Sequence, residues 1–217
     1  MAAEFVQAHL YRIEHGGARE QIDAASQLAR SEYPEAIIAA VNLLDLPERY
    51  PRRVIDEIAD GLIEGAPATI TEVIAKLDNS PLLPSGNVCA YILGEIAYRQ
   101  GKLRDKRILP ALIRAVGATI NVGTAEASYS VSAIRECARA GPVPEATPFM
   151  EEVLAKASGE LDPYLWTIDN SLWVLYINEG EELLHRLPGY TRRLRPRHGL
   201  LQAILEFMSE AEHGHRP

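Results

Sequence analysis

Trp166, Asn170 and Trp173 stand at i, i+4 and i+7, on one face of a predicted helix, with Asp169 beside them. Indole faces hold flat or cationic groups, and a neighbouring carboxylate can pair with a cation or take a proton. The same spacing also describes an aromatic inner face that only packs. Other residues with chemical potential are scattered. Of the six histidines (His9, His15, His185, His198, His213 and His215), only His213 and His215 are spaced as metal ligands, and they lie in what reads as a frayed tail. Cys89 lies between Val88 and Ala90, and Cys137 follows Glu136, so neither has an adjacent cation to favour a thiolate. Both sit on apolar helix faces, and two buried free thiols are expected. No GxSxG, P-loop, CxxC or HExxH occurs. No catalytic residue, cofactor or metal site is therefore assigned.

Charge is distributed unevenly. The chain has 217 residues and a net charge of −8. Residues 99–114 carry Arg99, Lys102, Arg104, Lys106, Arg107 and Arg114 against Asp105 alone, a balance of +5. Residues 185–198 carry Arg186, Arg192, Arg193, Arg195 and Arg197 with no acid, another +5, which leaves −18 on the remainder. An acidic body repels a nucleic-acid backbone at long range and attracts basic partners. The basic loop Arg99–Arg107 is the best candidate contact feature. Its plainer reading is a solvated loop whose cations sit favourably near a helix C-terminus.

The elements that must position these residues are helices throughout. Apolar residues make up 47% of the chain, with only three Phe and two Trp. Aliphatic and alanine-rich stripes of this kind pack helix on helix. There is no basic-then-apolar leader and no run of 18 apolar residues, so a soluble cytoplasmic protein is expected, without a membrane. Residues 4–15 read as a capping helix. Helix pairs follow at 18–45, 50–78, 85–117, 124–158 and 162–188, and residues 197–211 read as a closing helix. Leu28, Leu62 and Ile96 recur 34 residues apart, with Cys137 41 further on. Pro34, Pro67, Pro110 and Pro148 open the second helices at intervals of 33, 43 and 38. Neither helix of a pair can bury its stripe alone, so successive pairs must stack. The expectation is a single all-α domain over 1–217, a right-handed α-solenoid of about five pairs with N- and C-terminal caps.

The stretch Asn87–Ala97, NVCAYILGEIA, followed by Ile108–Ile113, ILPALI, resembles a HEAT-like repeat of the phycobilisome-lyase type. That pattern is an alanine-rich helix containing Leu-Gly-x-Ile, then a helix opening with Pro-x-Leu. The resemblance extends in weaker form over about residues 18 to 157, with Gly61 one turn from the position of Gly94. It implies an architecture more than an activity. Among HEAT-like enzymes, the alkylpurine DNA glycosylases are similar in kind to the Trp166–Trp173 helix, but an acidic body lacks their basic groove. The deoxyhypusine hydroxylases use repeated His-Glu dipeptides, and this sequence has none.

The reading that follows is a non-enzymatic module that binds another protein by shape and charge. Its candidate partner-binding residues are Arg99, Lys102, Arg104, Lys106, Arg107, Arg114, Trp166 and Trp173. Glu72, Lys76, Glu151 and Glu152 are expected on the same exposed face of the second helices. Two alternatives stand beside it. One is an immunity or inhibitor protein whose acidic surface masks a basic toxin. The other is a HEAT-like enzyme, either glycosylase-like or bilin-lyase-like, which would need a deep pocket lined by aromatics and a carboxylate.

Overall fold

A computed structural model describes residues 1–45, 49–123, 127–156, 162–193 and 204–209, with side chains described for all of these except 162–165 and 188–193. Among the described residues the chain is helical, with no strand. No helix among them is long and apolar enough to cross a membrane. Packing divides the chain into two compact units, Met1–Ile96 and Ala97–Pro217.

The first unit contains α1 (Ala2–His15), α2 (Ala18–Ala29), α3 (Pro34–Leu43), α4 (Arg52–Glu64), α5 (Ile70–Asn79) and most of α6 (Pro84–Gln100). Here α1 covers α2 and α3, α2 packs along α4, and α3 packs on α5. Leu28, Ile58 and Leu62 are fully buried between α2 and α4. Each such side chain contributes about 1.5–3 kcal/mol when withdrawn from water. Gly61 permits the close approach of the two helices: a Cβ there would lie 2.6 Å from Ala29 Cβ. Pro34 opens α3 as expected, but α5 begins at Ile70, three residues after Pro67. The cause is Thr69, whose buried hydroxyl donates to Leu62 O at 2.6 Å and holds the chain in a turn before the helix starts. Asp45 bonds Lys76 of α5, and Arg30, which caps the end of α2, bonds Glu64 of α4 at 2.6 Å. His9 is a buried core residue: its ring spans Phe5 O at 2.7 Å and Gln27 Oε1 at 2.8 Å.

The second unit contains the end of α6, then α7 (Ile108–Thr119), α8 (Ser128–Arg139), α9 (Thr147–Lys156), α10 (Asp162–Glu179) and α11 (Glu181–Arg193). Short 3-10 turns occupy Gly101–Leu103 and Pro144–Ala146. Again α8 packs on α10 and α7 on α9, so first helices meet first helices and second helices meet second helices. Thr167, Asn170 and Ser171, polar residues within the largely apolar stretch 166–177 of α10, are all buried, while Asp169 beside them keeps partial exposure.

Two differences from the sequence reading lie in this unit. The final pair does not end at Pro188-Gly189, because α11 continues to Arg193. A helix tolerates proline at the loss of one backbone bond when its other turns are anchored. Here Leu183 and Leu187 are fully buried, and Arg186 bonds both Glu151 and Glu179. The apolar stripe of the closing helix predicts Leu200, Leu201, Ile204, Leu205 and Met208 inward; the segment is helical at 204–209, but its buried positions are Ile204 and Phe207, while Leu205 is 56% exposed. Phe207 is drawn inward by two aromatic partners, meeting Trp173 at 5.0 Å and Tyr176 at 5.8 Å, both edge to face. Leu200 and Leu201, the arginines at 195 and 197 and the terminal histidines lie outside the described residues, as do the side chains of Arg192 and Arg193.

Candidate functional site

The basic loop is a built structure. Gly101 adopts φ +59, a left-handed conformation that closes α6 and that a side chain would disfavour. Gln100 Oε1 then accepts from Asp105 N at 2.8 Å. Asp105 in turn accepts from the Arg107 backbone at 2.9 Å and from the Arg107 guanidinium at 3.0 and 2.8 Å. This two-pronged pairing holds the Asp105 carboxyl below the usual carboxylate range. It also commits Arg107 to the loop. Arg104 Nη1 lies 3.5 Å from Cys137 O in the last turn of α8, where a cation is favoured by the helix dipole.

These bonds leave Arg99, Lys102 and Lys106 exposed around the loop, with Arg114 exposed one turn along α7. Leu103 projects between Lys102 and Arg104 and is 91% exposed. Beside it runs an open groove of about 880 Å³. Lys102, Arg104, Lys106 and Arg114 form its rim, with Asp105 and Glu145 as its acids. Leu109, Pro110 and Ile113 of α7 and Phe149 of α9 form its floor, and the turn Ala140–Pro142 closes one side. Pro110 and Pro148 lie in the first turns of α7 and α9, and Ile113 and Phe149 line the same space.

The two tryptophans separate. Trp173 is 4% exposed, packed against Tyr176 and Phe207 and lying 5.7 Å from the Arg135 guanidinium. It is a core residue and drops out of any contact surface. Trp166 is 48% exposed and meets Tyr129 of α8 edge to face at 6.4 Å. Asp169 lies 3.8 Å from Arg135, so the carboxylate beside the tryptophans on α10 already faces a cation. Of the acidic and basic positions expected on the second helices, Lys76 is 12% exposed and tied to Asp45, Glu151 is paired with Arg186, and Glu152 with Lys156 at 2.6 Å.

Compared with protein-family models, with curated proteins and with solved structures, the chain matches none. The site is therefore read from its own chemistry. Burial pushes both thiols up to about 12, Cys89 and Cys137 alike, which leaves neither as a nucleophile near neutral pH. The feature that sequence reasoning missed is the groove floor. Ile113 and Phe149 are 36 residues apart and read locally as ordinary stripe residues. The charge run beside them was the only local sign.

Proposed function

We propose that this chain is a right-handed α-solenoid of HEAT-like helix pairs that acts as a protein-interaction module, with the α7–α9 groove and the 101–107 loop as its contact surface. The observation that carries the reading is the groove itself: an open, apolar floor beside a cationic rim, on a loop held in shape by its own hydrogen bonds. A preformed surface loses little entropy on binding, and an apolar floor with charged edges is the anatomy of a contact site. The solenoid part is supported by side-chain bonds that link positions 34 or 35 residues apart in both units, as between Arg30 and Glu64 and between Lys156 and Asn121.

Affinity capture from native extract, comparing the wild type with Lys102→Glu/Lys106→Glu/Arg114→Glu, tests the reading. A protein partner retained by the wild type and lost by the variant is the expected result. Equal capture by both would remove the groove from the contact. A second reading, a protein that masks a basic partner, is favoured by the −18 carried outside the two basic segments. It predicts a partner that survives the same charge reversal and is released by raised salt.

A further inference from the structure

We infer that the occupant of the α7–α9 groove is an acidic peptide segment that carries an apolar side chain among its carboxylates. This rests on the interaction-module reading above and adds the chemistry of the partner. Both carboxylate oxygens of Asp105 are held by Arg107, so Asp105 subtracts little from the rim's field. Among the described residues Glu145 is then the one other acid lining the groove, against Lys102, Arg104 and Lys106, with Arg114 also in the lining. The rim is cationic on a chain that is acidic overall, so it offers an acidic segment a local attraction that the acidic remainder does not.

The floor selects within acidic ligands. Ile113 and Phe149 are partly accessible at the bottom of the groove, and Leu109 and Pro110 complete an apolar surface. A phosphodiester backbone has no group that gains from this surface, and it needs a longer basic track than four cations around one depression. A Leu or Phe flanked by Asp or Glu uses both parts at once. The apolar anchor supplies most of the affinity, and the rim supplies register and association rate.

The test is fluorescence anisotropy on the full chain with a short labelled synthetic peptide in which a Leu-Phe pair is flanked by Glu and Asp. Three competitors are used: the same peptide with Ser-Ser for Leu-Phe, its Lys-for-acid counterpart, and single-stranded DNA of equal length. The acidic Leu-Phe peptide is expected to bind and to be displaced by none of the three. Lys102→Glu/Lys106→Glu should weaken it at least about tenfold, since each exposed pair contributes modestly and reversal adds repulsion. Phe149→Ser should weaken it comparably, with helicity by circular dichroism confirming that the variant is folded. No binding of the acidic peptide, equal binding of the Ser-Ser form, or preferential binding of DNA would each overturn the inference. If the peptide fails while the captured partner remains sensitive to the charge reversal, the occupant is wrong and the module reading stands. If capture is insensitive as well, the module reading has failed with it.

Discussion

Asn178 of α10 clasps the backbone of Val143, 35 residues earlier, with both ends of its amide: Val143 N donates to Oδ1 at 2.7 Å, and Nδ2 donates to Val143 O at 3.0 Å. A further bond runs from Nδ2 to Thr147 Oγ1 at 3.0 Å. Val143 is fully buried in the turn before α9, so its peptide groups have been withdrawn from water: its N–H is met by this side chain, while its carbonyl also accepts from Ala146 N at 2.9 Å. The same separation recurs in Arg135 to Asn170 at 2.8 Å and in Arg186 to Glu151. Side chains one pair apart thus bind neighbouring pairs together at polar as well as apolar positions.

Asn178→Ala should lower the free energy of unfolding by about 2 kcal/mol, because it strands the buried Val143 N–H and removes one of the two bonds to the Val143 carbonyl. Asn178→Asp should be no better, since its carboxylate keeps the acceptor but faces Val143 O. Urea unfolding with an unchanged slope measures this. A loss below about 0.5 kcal/mol would show that water replaces the clasp at little cost.

Gly61→Ala has an unusual sign. In an open helix the change stabilises by about 1 kcal/mol. Here the new methyl meets Ala29 Cβ at 2.6 Å and must push α2 from α4. A destabilisation of about 1–3 kcal/mol is expected by thermal melting. A raised melting temperature would place the α2–α4 crossing further apart than described.

Leu93→Asp should unfold the chain at room temperature, at a cost above about 4 kcal/mol, because Leu93 is fully buried and a carboxylate there has no partner. Circular dichroism reads the outcome, and retention of the wild-type melting temperature would contradict the assigned face of α6.

Stability should fall on the acid side. Lys76, and more weakly Ser85, hold the Asp45 carboxyl below its ordinary value. Above the unfolded value of about 3.9 both states are ionised and the ion pair contributes in full. As pH falls below that value the unfolded chain takes up a proton that folded Asp45 resists, and the contribution is lost as Asp45 itself protonates. Asp45 is partly exposed, so the amount is under about 1 kcal/mol. Asp45→Asn should lower the melting temperature slightly at neutral pH and flatten its decline between pH 5 and pH 3. Parallel curves for the two proteins would remove Asp45 from the acid response.

Both cysteines should resist thiol reagents while the chain is folded. With each thiol pushed up to about 12, roughly one in ten thousand is ionised at pH 8. Ellman titration should find no fast thiol in buffer and two in denaturant. A fast native thiol would mean that Cys89 or Cys137 reaches solvent.

The helices were legible because periodic apolar stripes and helix-opening prolines are local signals: Pro34 begins α3, and Pro110 and Pro148 fall in the first turns of α7 and α9. What local pattern does not carry is which flank of a stripe a neighbour covers. Leu205 and Phe207 are both apolar, and it is Phe207 that meets the rings of Trp173 and Tyr176 and is buried. Trp166 and Trp173 share a helix face by spacing, yet one meets solvent and the other Arg135. At the site, the charge of residues 99–107 was visible in the sequence. The diversion of Arg107 to Asp105 was foreshadowed by their spacing of two, whereas a floor built from Ile113 and Phe149 requires the packing of α7 on α9.

Site-directed photocrosslinking tests the contact surface most directly. A benzophenone amino acid is placed at Leu103, beside the groove, or at Leu82, which is also exposed but precedes α6 and does not line the groove, and each protein is irradiated in native extract. The account predicts a discrete protein adduct from position 103 that is abolished by Lys102→Glu/Lys106→Glu, and none from position 82. An adduct from position 82 alone, or one from position 103 that persists through the charge reversal, would contradict it.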